Sequence, residues 1–530
     1  MKKEKKLRWK LLAVAALVLL GAFFLRGEKT VYAEEYVVSV PPGCGAKEIQ
    51  EALDKNANGQ YDKLIVEIPV GTYYLNATLY IYSNTTIEAA PGAVFRKLDV
   101  NEGKHSYGAM LEGKLIDDKG GYGNCHDIAV IGGTWDSVDV MDNSVGTESF
   151  RFIHCDNVTV RNVVLCNVPS GSHLLVLAGT SNAVIQGCEF YGYGKYRTDD
   201  HKEAIQLDIV HNAEIVPTLQ ADVVMWDDLP CKNVTIQDCF FYDFSRAIGS
   251  HTAVEGVLHD NVVISDNTML NMSDTAIKLF NYKNVIVENN RIMECVEGVL
   301  VYTDMTGLSS KEYMPPLSGT VAALPDDYNI IIRNNSFQGM KMNGESWGDA
   351  VRVMGSTEIP VKGITVVNNE MESMERYGVF VSDAENVTIS ANQVSSVGRV
   401  GIYATSNCNN ITILRNRVQD CGGYGIFMAN SRGGFICGNT VKEAGLTDSE
   451  QIHGIYAYKC SGTGSENALY IQKNVVEGNG REGAQGIKAS TSDYVSVTGN
   501  VVRKTKDRGI FVYSCEFPVV EKNRETKAGE

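Results

Sequence analysis

Beyond about residue 36 the chain alternates apolar and polar positions with a period of two, in short runs broken by Gly and Asn. Such alternation marks strands with one buried face. Two phrases recur. The first is Asn, a β-branched pair, then polar residues: NVTVRN at 157, NVTIQDC at 233, NVVISDN at 261, NVIVENN at 284, NIIIRNN at 329, NVTISAN at 386 and NITILRN at 410. The second is a small residue followed by alternating apolar ones, as in Ala204-Ile205-Gln206-Leu207, Ala276-Ile277-Lys278-Leu279 and Gly401-Ile402-Tyr403-Ala404. A repeat of roughly 23 residues cannot bury its apolar face alone and must stack on its neighbours. The pattern predicts an all-β fold, a single-stranded right-handed parallel β-helix solenoid over 34–523, with a tail at 524–530.

Asn267, Asn290, Asn335, Asn369, Asn392, Asn416, Asn439, Asn474, Asn500 and Asn523 share one phase of this repeat. Asn tolerates left-handed backbone at sharp corners, and a stacked amide can donate to one coil while accepting from the other. An internal Asn ladder is expected, and sequons such as Asn157-Val158-Thr159 are read as corners. Before the first coil, Ala46 to Asn56 places Ile49 and Leu53 at helical spacing. This predicts a short capping helix within an N-terminal cap at about 36–60, covering what is otherwise an open sheet edge.

Residues 1–33 stand apart. Lys2, Lys3, Lys5, Lys6, Arg8 and Lys10 precede the apolar run Leu11 to Leu25, and Val31-Tyr32-Ala33 reads as a processing site. This is the pattern of a secretory signal peptide, with an uncleaved, membrane-attaching anchor as the rival. Either places the body outside the cytoplasm, secreted or on the cell surface. The formal net charge of -16 argues against a nucleic-acid partner, while leaving room for a basic groove that binds an acidic polysaccharide. The thirteen Cys are odd in number and scattered without a CxxC pair, so they are read as small core residues rather than a disulfide framework or zinc site. A monomer is expected.

The stretch IQEALDK…IVEIPVGTYYLNATLYIYSNTTIEAAPGAVF resembles the opening region of the pectate-lyase-like β-helix superfamily, and the later coils resemble its repeats. The section SGSHLLVLAGTSNAVIQGCEFYGYG…HKEAIQLDIV is similar to surface or secreted β-helix proteins of Gram-positive bacteria. The resemblance implies the fold across almost the whole chain past residue 33. It spans lyases, hydrolases, epimerases and non-catalytic adhesins, so it does not select one activity. The calcium ligands and catalytic Arg of the superfamily's pectate lyases cannot be matched residue by residue here.

Stacking the second phrase predicts three outward columns: His173, Glu203, Arg246, Thr275, Glu297, Asp349; Val176, Gln206, Gly249, Lys278, Leu300, Arg352; and Ala178, Asp208, His251, Phe280, Tyr302. They gather polar groups on a face at about 170–355. Glu203, Asp208, Arg246, His251 and Lys278 are the candidate catalytic residues, since a carboxylate beside an imidazole can orient a base and a cation can hold a substrate carboxylate. His173, His201, Gln206, Trp226, Arg352 and Tyr313 are candidate substrate contacts. Asp199, Glu203 and Asp208 are oxygen ligands of a kind that suits Ca2+, without an EF-hand-like loop to support it. The bland alternative is that Asp208–His251 and Glu203–Arg246 are ordinary cross-strand pairs. Insertions after Val210 and Tyr302 leave next to this face. In the coils at about 360–515, Phe380, Tyr403, Phe427, Tyr456 and Phe511 form an aromatic column interrupted by Lys488, read as sheet-stabilising stacking or as a glycan or protein platform.

The leading expectation is a lyase acting on a uronic-acid-containing glycan. The alternatives are a glycoside hydrolase using Glu203 and Asp208, and a non-catalytic carbohydrate-binding adhesin.

Overall fold

The computed structural model describes residues 35–99, 108–144, 146–195, 201–303, 312–344, 346–446, 452–462, 464, 468–478, 484–505 and 508–527. The basic–apolar segment at 1–33 and Asp199 lie outside them. Each coil visits three sheets in turn. Cys155–Arg161 lies in the first, Val164–Val168 in the second and Leu175–Ala178 in the third. The chain then returns to the first as Ser181–Gln186, in parallel register with Cys155–Arg161. Among the described residues the three sheets hold 17, 16 and 15 strands. This is the expected right-handed parallel β-helix. The second sheet ends in Arg524–Lys527, paired with Val501–Thr505, so the coils run into the stretch expected to be a tail.

The helix Ala46–Leu53 closes the N-terminal end, with Ile49 and Leu53 fully buried. The Gln50 side chain donates to the Tyr80 carbonyl and accepts from the Tyr80 amide, which fixes the helix across a sheet edge. Asp54–Asn56 continues it as a single 3-10 turn.

The Asn ladder runs through all ten positions. Each Asn Nδ2 from Asn267 to Asn500 donates to the Oδ1 of the next rung, as in Asn369 to Asn392 and Asn392 to Asn416, both at 3.0 Å. The second Nδ2 hydrogen goes to a strand carbonyl, Val366 in the case of Asn392. The corner geometry differs from the expectation in one respect. The left-handed residue is the one before each rung, such as Ala391 (φ 55) and Arg415 (φ 54), and the ladder Asn is not itself left-handed. Turning the corner one residue early aims the Asn side chain inward, where its hydrogen bonds need it. Asn157 (φ 53), in the sequon, is a true left-handed corner.

All thirteen Cys are free, and all but Cys44, Cys437 and Cys515 are buried. Two insertions leave the third sheet. The first, after Glu203–Asp208, folds back toward earlier coils, where Val210, Val216 and Val224 pack on Leu115, Ile153 and Val176 with Trp226 alongside. Gln220 donates to Glu112 at 3.0 Å, and the Asp227 carboxylate meets His154 Nε2 at 3.1 Å. It therefore covers the outward face of the third sheet up to Val176. In the second insertion, Tyr313–Met314 pairs in parallel with Ala253–Val254, and Met314 packs on Ile209.

Candidate functional site

The polar face begins where the first insertion ends its cover, at strand Glu203–Asp208 of the third sheet. Parallel register puts Arg246 opposite Glu203 and strings Val176, Gln206, Gly249, Lys278, Leu300 and Arg352 into one column, as expected. The third expected column breaks at His251. Strand Arg246–Gly249 stops two residues short of it, and Gly249 takes φ +146 where an added Cβ would meet the Lys278 carbonyl oxygen at 2.1 Å. The chain turns there. His251 consequently reaches Glu203 instead of Asp208, and Thr252 Oγ1 donates to Asp208 at 2.9 Å.

Glu203 is the centre of the cluster and is fully buried. One carboxylate oxygen accepts from Arg246 Nη1 at 3.1 Å, and the other lies 2.8 Å from His251 Nδ1. Burial alone would raise its pKa, but the His251 interaction and the Arg246 charge outweigh that and hold it well below the usual carboxylate range. Arg246 is braced from its far side by Asp274, whose Oδ2 accepts from Nε at 2.6 Å. The rings of His173 and His251 stack at 5.4 Å. His173 Nδ1 donates to the Glu203 carbonyl at 2.7 Å, and burial pushes its pKa down to about 3.

The partners of His251 fix its tautomer. A carboxylate can only accept and an ammonium can only donate. Nδ1 faces the Glu203 carboxylate, so it carries the proton. Nε2 lies 2.8 Å from Lys202 Nζ, so it presents its lone pair. Burial lowers the pKa of His251, and Lys202 adds to this against the pull of Glu203. The result is a neutral imidazole, oriented through Nδ1, whose side chain is 18% exposed.

Other candidates are dispersed. Asp208 is buried with Oδ2 unbonded, and burial pushes its pKa up to about 7. Lys278 is half-buried beside the Phe280 and Tyr302 rings, and burial lowers it to about 8. His201 bonds Ser245 and lines a cleft of about 570 Å3 with Tyr193, Lys195 and Phe244. Arg352 lies further along the face, its guanidinium 4.8 Å from the Trp347 ring and 5.7 Å from Phe380. Trp226 and Tyr313 pin the insertions: Trp226 packs on the Leu115–Val176 cluster, and Tyr313 sits in the strand pair with Ala253–Val254. Lys202 and Asp274 were not singled out from the sequence. Both stand immediately before a strand, where period-two alternation does not dictate direction.

Of the oxygen set expected for Ca2+, Asp199 lies outside the described residues, and the other two have partners of their own. Glu203 is committed to Arg246 and His251, and Asp208 is bonded elsewhere. Ligand atoms of His173, Glu203 and His251 do lie within 4.8 Å of one another, close enough for one metal ion. Arg246 and Lys202, however, place two cations against that group, which disfavours a third.

The aromatic column is stacked in its middle, while Phe380 meets Tyr403 edge-on and Lys488 stands between Tyr456 and Phe511. Tyr403 stacks on Phe427 at 5.0 Å and 6°, and Phe427 on Tyr456 at 5.2 Å and 11°. From Tyr403 to Tyr456 each ring face meets the next ring, which leaves solvent mainly with ring edges there. Sugar stacking needs an open face, so this geometry favours the sheet-stabilising reading.

The family profile described as right handed beta helix region matches residues 148–311 and 318–469. The chain belongs to that family. This β-helix protein is similar in structure to the surface adhesin PfbA of Streptococcus pneumoniae, at 20% identity and a TM-score of 0.57, covering 72% of this chain and 88% of that one. It is also similar to a tailspike protein mutant of E. coli bacteriophage HK620 in complex with a pentasaccharide, at 12% identity and a TM-score of 0.52, covering 90% and 76%. No curated protein sequence matches the chain. No helix among the described residues is long and apolar enough to cross a membrane.

Proposed function

We propose that this β-helix protein works outside the cytoplasm and binds an acidic polysaccharide along the outward face of its third sheet. The observation that carries the reading is the gathering of Lys202, Arg246 and Lys278 around one buried Glu203–His251 pair, in a chain of net charge -16. A local excess of cations on an acidic protein attracts anionic groups to that one place. The adhesin and the pentasaccharide-bound tailspike share the fold, and a glycan-binding face on a solenoid accords with both. The test is affinity electrophoresis of the purified protein in gels containing polygalacturonate, alginate or neutral dextran. Retardation by the acidic polymers alone, weakened in Lys278→Gln, supports the reading. Equal retardation by dextran overturns it.

A second reading adds chemistry and is favoured by the His251 tautomer. With a uronate sugar on this face, Nε2 takes the C5 proton, the C5–H electrons form a C4=C5 double bond, the C4–O bond breaks, and the leaving oxygen takes a proton from water. Glu203 orients the imidazole and stabilises its charged form, as carboxylates do for catalytic histidines. The hydrolase pairing of Glu203 with Asp208 has less support, because the two are buried five residues apart on one strand and tied to different partners. Ultraviolet absorbance of unsaturated ends, lost in His251→Ala, tests the lyase step. Binding without such absorbance leaves the protein a binder.

A further inference from the structure

We infer that Lys202 is a substrate-sensing cap on His251: its ammonium occupies the Nε2 lone pair until an anionic sugar carboxylate draws it away. This deepens the reading above and rests on it, by specifying how the face tells acidic from neutral glycans.

The inference stands on atoms that face each other. Lys202 Nζ lies 2.8 Å from His251 Nε2, the single nitrogen of that ring able to accept a proton once Glu203 has claimed Nδ1–H. The groups packed around His251 are Glu203, Arg246, the stacked His173 ring and the Gln206 amide. None of these covers Nε2 as Lys202 does. Arg246 and Glu203 are locked to each other and to Asp274, and Glu203 and Arg246 belong to strands of the sheet. Lys202 precedes its strand, is half-buried, and carries the long flexible stem of a lysine. That stem lets the ammonium change position without any shift of the sheet.

A neutral glycan gives the ammonium no reason to leave the imidazole. A carboxylate does, because it carries a full negative charge that attracts the ammonium, whereas the neutral imidazole offers only a lone pair. The displacement frees Nε2 at the moment that an acidic ring is in place. Lys202 is thus a positioning residue that acts through His251, and it couples base availability to substrate charge.

The experiment follows histidine side-chain nitrogens by NMR in full-length protein, assigned with His251→Gln. The ligands are an oligogalacturonate and its methyl-esterified form, and binding is measured in parallel by calorimetry. In ligand-free protein the His251 titration midpoint should move upward in Lys202→Gln and stay near wild type in Lys202→Arg, which keeps the cation. The oligogalacturonate, and not its ester, should shift wild-type His251 Nε2 toward the signal of Lys202→Gln. Identical ligand-free titrations in wild type and Lys202→Gln overturn the cap. Binding of the oligogalacturonate with an unchanged Nε2 signal overturns the sensing. Absence of oligogalacturonate binding defeats the polysaccharide reading, while the ligand-free titrations still decide whether the cap exists.

Discussion

Replacing Asn392 by Ala removes one rung from the middle of the ladder. Asn392 Oδ1 accepts from both the backbone N–H and the Nδ2 of Asn369, at 2.9 and 3.0 Å. Its own Nδ2 donates to Val366 O at 2.9 Å and to Asn416 Oδ1 at 3.0 Å. The substitution therefore orphans two buried donors on the Asn369 side and takes one donor each from a carbonyl and an amide oxygen. Unsatisfied buried donors cost about 1.5 kcal/mol each, so the loss is about 3 kcal/mol before any cavity term. Asn523 is the control. It is partly exposed at the last rung, where water can replace the lost bonds, and Asn523→Ala should cost less than about 1 kcal/mol. Solenoids need not unfold in one step, so amide exchange is the assay of choice, with chemical denaturation alongside. The Asn369 amide should exchange faster by about two orders of magnitude, the equivalent of about 3 kcal/mol. An unchanged Asn369 rate in Asn392→Ala would refute the claim that rungs hold neighbouring coils together.

Three further outcomes follow. The bonds of His154 to Asp118 and Asp227 outweigh burial and hold it up to about 9. A histidine raised above 6.5 adds stability that is complete below that pH and lost as pH climbs through about 9; the thermal midpoint should fall over that window, and fall less in Asp227→Asn. Asp208, raised by burial to about 7 from 3.8, has a cost that is absent at low pH and complete above about 7. Asp208→Asn should therefore melt higher than wild type at alkaline pH and show no gain below pH 3.8; a constant difference across pH would count against it. Phe427→Ala removes two stacked ring pairs and should cost about 3 kcal/mol by denaturant titration, yet leave retardation by acidic polymers unchanged. Loss of retardation without loss of stability would return the aromatic column to the role of a glycan platform.

The solenoid was legible because its signals are local and periodic: alternation sets which residues face in, and the small-apolar phrase sets the register. The column from Val176 through Gln206 and Lys278 to Arg352 follows from counting alone. Counting fails where a strand stops. His251 lies past the end of Arg246–Gly249, and its partner is decided by a turn at Gly249 that no periodicity encodes. Lys202 and Asp274 escaped for the same reason. The backward fold of the first insertion, with Gln220 on Glu112 and Asp227 on His154, is a contact between segments about 70 to 110 residues apart. Such contacts leave no mark on local pattern, which is why Trp226 reads equally well as a sugar platform or as the loop anchor that it is.

The spacing of ladder rungs bears on how such a protein can change over time. Consecutive rungs are 23 residues apart at Asn267 and Asn290, 45 at Asn290 and Asn335, 34 at Asn335 and Asn369, and 35 at Asn439 and Asn474. The amide-to-amide distance is 3.0 Å in all four. Chain length between rungs is thus decoupled from the rise of the coil. A lineage can lengthen, shorten or exchange the loops beside the polar face while the inner amides keep every later coil in register. The same property makes these loop positions the natural places to graft new segments by design.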